Sequence, residues 1–183
     1  MQKITMLGDE EKAGAYVLRL VVARGVAVRF GRFRGGAALP VPAGVYAYVG
    51  SALGGVGPRL LRHASRSQSE PHAIHPVLLA RFAVLGLVRP GYRAASKRLH
   101  WHVDYLLEET AVDLTHVLVV RSRQPLEARL ADLLLAETAV APLAAGLGAT
   151  DFPGRTHLLR IAESPNWWQA WVARTVRVLA AAC

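Results

Sequence analysis

The residues of this chain best suited to chemistry lie between positions 44 and 63. The run Gly44-Val45-Tyr46-Ala47-Tyr48-Val49-Gly50-Ser51-Ala52 is followed within a few residues by Arg59-Leu60-Leu61-Arg62-His63. Read at period two, Gly44, Tyr46, Tyr48 and Gly50 fall on one face of a strand. Read at helical spacing, Arg59, Arg62 and His63 sit at i, i+3 and i+4, so three potential cations point the same way. Guanidinium forks bind phosphate oxygens bidentately and a phenol holds a water, which makes two phenols beside such a face a candidate phosphate site. A second cluster, His100-Trp101-His102-Val103-Asp104, brings two histidines and a carboxylate together. In a helix His100 and Asp104 are neighbours; in a strand His100, His102 and Asp104 share a face. That set could hold Zn²⁺, but no cysteine cluster or His-Glu-x-x-His pattern accompanies it.

These residues need elements to position them. The Gly54-Gly55 and Gly57-Pro58 pairs end the tyrosine strand (44–50) before a helix over 57–66. Residues 14–23 and 25–34 read as a hairpin turning at Ala23-Arg24-Gly25, with Val26, Val28 and Phe30 on its inner face. Pro40-Val41-Pro42 argues against regular pairing just before the tyrosine strand. Further helices are expected at 74–88 and 101–110, then a strand at 114–121. A helix at 125–139 follows, with Pro125 in its first turn and Leu126, Leu130, Leu133 and Leu134 on one stripe. A short strand at 156–161 precedes a last helix that Ser164-Pro165 would start. Trp167, Trp168 and Trp171 in that helix could stack on bases, but Trp168 and Trp171 at i, i+3, with Thr175 and Val178 continuing the stripe, favour packing. Strands and helices in this irregular order predict an α+β fold, a small mostly antiparallel or mixed sheet flanked by helices.

Bulk properties narrow the partners. The 183 residues, 52% hydrophobic, suffice for one domain with a real core, and no linker divides them. We expect one domain over 1–183, with an insertion at about 65–96, where Ser65-Arg66-Ser67-Gln68-Ser69-Glu70-Pro71 is plainly loop-like, and a C-terminal helix at about 164–181. A formal net charge of +9 points to a polyanion, nucleic acid before a membrane surface. The single cysteine, Cys183, can form no intrachain disulfide, and charged residues follow Met1 almost at once in place of an apolar signal segment; both fit a cytoplasmic protein. The longest apolar stretch, 76–88, is interrupted by Arg81 and is too short to span a bilayer.

Four ordered blocks then resemble a known family, the GIY-YIG endonuclease superfamily in its Uri-type branch. Gly14-Ala15-Tyr16 resembles the first half of the signature, and Tyr48-Val49-Gly50-Ser51-Ala52 with Arg59 resembles the second, with Gly54-Gly55 as a short insertion. His100-Trp101-His102-Val103-Asp104-Tyr105-Leu106 is similar to a block of the Uri-type branch. So is the later Gly146 to Asp151 segment with His157-Leu158.

The resemblance implies a GIY-YIG nuclease-like fold and metal-dependent hydrolysis of phosphodiester bonds in nucleic acid, DNA before RNA. It implies that Tyr16 and Tyr48 attend the attacking water, one of them as general base, with Tyr46 second to Tyr16 as the partner of Tyr48. Arg59 would neutralise charge growing on the phosphoryl oxygens. Arg62 matches one residue of an Arg-His pair and would grip a neighbouring phosphate, with Ser51 and Tyr46 as further substrate contacts. His63 is the other member of the pair, and would hold the water or cap a hydrogen-bond network. Glu127 is the candidate ligand for a single Mg²⁺ or Mn²⁺; without a metal it would simply complement its helix dipole. His100, His102, Asp104, Asp151 and His157 are expected to line the cleft. The alternative to an enzyme is a nucleic-acid-binding module that kept the fold and lost cleavage.

Overall fold

Two strands that are apolar on both faces, Gly14–Val22 and Val112–Arg121, dictate the architecture, because such strands must be covered on both sides. The structure, a computed structural model, describes residues 2–8, 10–94, 96–148, 156–162 and 166–180. In chain order the elements are β1 (Ile4–Leu7), β2 (Gly14–Val22), β3 (Val26–Arg29), a 3₁₀ turn (Phe33–Gly36), β4 (Ala38–Val41), β5 (Gly44–Ala52), α1 (Val56–Ala64), α2 (His75–Val84), α3 (His102–Leu107), β6 (Val112–Arg121), α4 (Glu127–Leu135), β7 (Val140–Pro142), β8 (Leu158–Ile161) and α5 (Trp167–Ala180). The main sheet runs β1-β6-β2-β5-β8-β7, and β3 and β4 form a separate ribbon. Only β1, on β6, pairs in parallel; the fold is α+β with a mixed sheet.

Each face of the sheet carries its own core. On one, Tyr16, Leu18, Leu20, Tyr46 and Tyr48 pack under α1, α2, α3 and the ribbon. On the other, Ala15, Val17, Ala47, Val49 and Leu118 pack under α4 and α5. Trp167, Trp168 and Trp171 belong to this second core, with Trp167 and Trp171 stacked at 5.9 Å. They pack instead of offering a base platform. Their stripe continues through Val172, Thr175 and Leu179, while Val178 turns outward, because 3.6-residue periodicity carries it off the buried face. Ser164, Pro165 and Cys183 lie outside the described residues.

The expected hairpin of 14–23 with 25–34 does not form. β2 pairs instead with β5 and β6, and β3 turns away to pair with β4. The cause is burial. β2 needs apolar neighbours on both faces and finds them in two long strands, whereas β3 buries only Val28 and exposes Ala27 and Arg29. Regular pairing also extends to Pro40, opposite Ala27, against the expectation drawn from Pro40-Val41-Pro42. A two-stranded ribbon has an open edge on each strand, where a missing N–H costs nothing. The helices at 74–88, 101–110 and 125–139 are shorter than expected, and β1 and β7 were not anticipated. Among the described residues, no helix is long and apolar enough to cross a membrane.

Candidate active site

Antiparallel pairing of β2 with β5 sets Tyr16 opposite Gly50 and Leu18 opposite Tyr48. The two phenols therefore lie diagonally on one face, ring centroids 6.4 Å apart. Gly50 is glycine for a steric reason: a Cβ there would meet the Tyr16 hydroxyl at 2.6 Å. The strand ends at Ala52, and the Leu53–Gly55 turn feeds α1, whose Arg59, Arg62 and His63 face the phenols and Trp101.

His63 is fully buried between two partners. Its Nε2 lies 2.9 Å from the Tyr16 hydroxyl and its Nδ1 2.9 Å from Asp104 Oδ1. Asp104, in the first turn of α3, also accepts from the amides of His100 (3.1 Å) and Trp101 (3.2 Å) and from the Arg62 guanidinium (3.0 Å). Burial alone would raise the Asp104 carboxyl, but His63, Lys97 and the His100 amide outweigh it and hold it well below the usual carboxylate range. Burial pushes the His63 imidazole below its ordinary value against the pull of Asp104. An ionised Asp104 can only accept, so it accepts a hydrogen bond from the Nδ1–H of a neutral His63. Nε2 is then a bare acceptor and Tyr16 donates to it. The Tyr16 and Tyr48 hydroxyls are pushed up chiefly by burial, so both are phenols at neutral pH.

The opposite face supplies Glu127, the first residue of α4. Its Oε2 accepts from the Ser51 hydroxyl, and its Oε1 lies 2.8 Å from Nδ1 of the buried His157, without the alignment of a hydrogen bond. Burial would raise this carboxyl; His157, Ser51 and Arg59 prevail and lower it. The two faces meet at the end of β5 in a cleft of about 360 Å³, lined by Tyr48, Gly50, Ser51, Arg59, Trp101 and Glu127 among others. Trp101 is its platform: the Arg59 guanidinium stacks 3.6 Å from the ring centroid and Arg62 5.0 Å.

The expected residues thus separate into groups. Tyr48, Arg59, Ser51, Glu127 and His100 line the cleft. Tyr16, His63 and Asp104 stand behind it as a hydrogen-bonded chain, so Asp104 is not a cleft wall. His157 is wholly buried behind Glu127. His102 does not line the cleft itself; its Nδ1 accepts at 3.0 Å from the amide of Gly148, which does. Tyr46 is spent on the Pro42 carbonyl at 2.8 Å, which removes it as the partner of Tyr48. Arg62 is committed to Asp104 and the Arg98 carbonyl. Asp151 lies outside the described residues. The zinc arrangement does not assemble, since His102 and Asp104 are turned to different partners, and among the described residues no three His, Cys, Asp or Glu side chains converge as metal ligands. Trp101 was the residue missed; its place between the two histidines was visible, its stacking on a helix forty residues upstream was not.

Fold and site together define an α+β protein with a polar cleft at the end of a paired-tyrosine sheet. The family model described as "Domain of unknown function DUF123" matches residues 15–179, and the chain belongs to that family. No curated protein and no solved structure matches it.

Proposed function

We propose that the cleft is the active site of a divalent-metal-dependent endonuclease of the GIY-YIG type, Uri branch, hydrolysing phosphodiester bonds in nucleic acid. The observation that carries the reading is the convergence of Tyr48, Arg59 and Glu127, from two strand-helix units on opposite sheet faces, on one cleft backed by Tyr16 and His63. A net charge of +9 supports a polyanionic substrate.

In this mechanism Tyr48 orients the attacking water. A buried phenol acts as a base only if it hands its own proton on, and Tyr16 has the means. As the water proton reaches Tyr16 Oη, the phenolic proton passes to His63 Nε2, and Asp104 stabilises the imidazolium formed. The hydroxide oxygen bonds to phosphorus, the bond to the leaving oxygen breaks, and Arg59 offsets charge on the phosphoryl oxygens. Glu127 fits a hard ion that keeps waters and substrate phosphate as its other ligands, because each carboxylate oxygen, though engaged by Ser51 or His157, keeps a second lone pair. Mg²⁺ or Mn²⁺ held there would supply charge neutralisation at the leaving oxygen.

The same engagement of both Glu127 oxygens favours a second reading, a nucleic-acid-binding module without cleavage. One experiment separates them: labelled single-stranded, duplex and branched DNA and RNA, with Mg²⁺, Mn²⁺ or chelator. The enzyme cuts at least one substrate only with metal, and Tyr48→Phe slows it by roughly two to four orders of magnitude with binding kept. Salt-sensitive binding with no cutting in either metal selects the module.

A further inference from the structure

Among the described residues Glu127 is the only carboxylate lining the cleft, and no three metal-ligating side chains converge. A metal held by one carboxylate cannot have its geometry set by a cage of protein ligands. It is set by whatever fixes that carboxylate. A glutamate side chain has several torsions to restrain, and two groups restrain this one: the Ser51 hydroxyl at Oε2 and His157 Nδ1, 2.8 Å from Oε1. Ser51 arrives with β5, the strand that carries Tyr48.

His157 is held by its backbone on two sides. Its amide donates to the Leu147 carbonyl at 3.0 Å, and its carbonyl accepts from the amide of Val49 in β5, also at 3.0 Å. The following amide, that of Leu158, reaches the same Leu147 carbonyl at 3.3 Å. Gly148 lets the chain close this tightly. Its φ is +89°, and a Cβ there would stand 3.1 Å from the Leu158 nitrogen and 3.3 Å from His157 Cβ, so it has neither the conformation nor the room for a side chain. The ring so placed is wholly buried, and neither nitrogen makes an aligned hydrogen bond. A buried polar ring without such bonds costs stability that a leucine would not. An ionised carboxylate 2.8 Å from Nδ1 requires the ring proton on that nitrogen, so Glu127 orients the imidazole and is restrained by it in return.

Resting on the nuclease reading, we infer that His157 is a positioning residue for the metal site, its Nδ1–H holding the Glu127 carboxylate in a fixed orientation, and that this restraint makes the site select Mg²⁺ or Mn²⁺ over Ca²⁺. The small ions demand near-octahedral ligands, which a restrained carboxylate supplies without reordering. Ca²⁺ takes about six to eight oxygens in flexible arrangements and gains little from restraint.

The test titrates Mn²⁺ into the millimolar range on the whole chain without nucleic acid, counting free ion by electron paramagnetic resonance, and measures Ca²⁺ by competition. In the wild type Mn²⁺ binds more tightly than Ca²⁺, and Glu127→Gln abolishes the site. His157→Leu weakens Mn²⁺ at least about tenfold, changes Ca²⁺ less than about threefold, and leaves the denaturation midpoint level or higher. His157→Asn, whose amide nitrogen stands where Nδ1 does, keeps Mn²⁺ affinity within about threefold of wild type. His157→Gln, whose nitrogen reaches the place of Nε2, loses as much as the leucine variant. The contrast between Asn and Gln decides the matter even where the leucine variant does not fold. Equal Mn²⁺ affinity in those two variants, or an equal fall for both ions, overturns the positioning role and leaves the nuclease reading in place. A wild-type chain that binds no Mn²⁺, or binding undiminished by Glu127→Gln, overturns the metal site of that reading and this inference with it.

Discussion

Asp104 and Glu127 are the same functional group placed on opposite faces of one sheet, and their surroundings give them opposite tasks. Asp104 has no exposed side-chain surface and four donors: His63, Arg62 and the amides of His100 and Trp101. Glu127 keeps 18% of its side chain exposed, lines the cleft, and has one side-chain contact at each oxygen. Both are held ionised. A carboxylate saturated by donors orients what it touches, whereas one that reaches open space can still take a ligand. Sheet pairing makes this division possible, because β5 ends where the helices of both faces reach its tip.

Shape-preserving removals of charge test that division. Glu127→Gln should abolish metal-dependent cleavage, leave nucleic-acid binding unchanged or tighter, and leave the denaturation midpoint nearly unmoved, since the amide still accepts from Ser51. Full activity in this variant would show that Glu127 is not the metal ligand. Asp104→Asn should lower cleavage by roughly two to four orders of magnitude through loss of the relay. It should also cost about 3 kcal/mol in urea denaturation, because it breaks a buried charged network. The contrast is the point: one carboxylate matters to turnover alone, the other to turnover and stability. Equal stability losses in both variants would erase it.

A steric test comes next in size. Gly50→Ala puts a methyl 2.6 Å from the Tyr16 hydroxyl, and overpacking of this kind costs about 1–3 kcal/mol. In a Tyr16→Leu background the same change should cost measurably less, since the ring it strikes, at Cζ (2.7 Å) and Cε2 (3.0 Å) as well as at the hydroxyl, is gone. Additive losses in the double variant would mean that the glycine answers to backbone pairing and not to the phenol.

Much of this was legible in the chain. The period-two run from Gly44, the glycine break and the cationic helix face appear within a residue or two of where they were read. The pairing of β2 was not, because Ala23-Arg24-Gly25 is a sound local turn signal and the competing demand, two apolar faces needing two long partners, acts only at the level of the sheet. The result places Tyr16 beside Gly50 directly, without an intervening strand. Asp104 was visible as part of a block but its partner was not, since no local spacing announces that a carboxylate will meet a histidine 41 residues away. Glu127 and His157 met for the same non-local reason.

The smallest effect expected is a displaced midpoint, and it tests the relay most directly. In the unfolded chain His63 titrates near 6.5. In the fold burial lowers that value, with Asp104 resisting. A histidine whose folded pKa is depressed favours the neutral fold, so its contribution to stability is complete above about pH 6.5 and is lost as pH falls through the folded value. Proton acceptance by His63 Nε2 has the same requirement. The profile of kcat/KM should therefore be level at neutral pH and fall on the acid side with a midpoint below 6.5. Glu127 is lowered as well, from a carboxylate value, so the response to Asp104→Asn is what assigns this limb. Asp104→Asn removes the influences that raise His63, so the residual activity of that variant should show its midpoint moved to still lower pH while the plateau drops. A midpoint that moves upward, or an acid limb unchanged by Asp104→Asn, would show that the proton does not pass to His63.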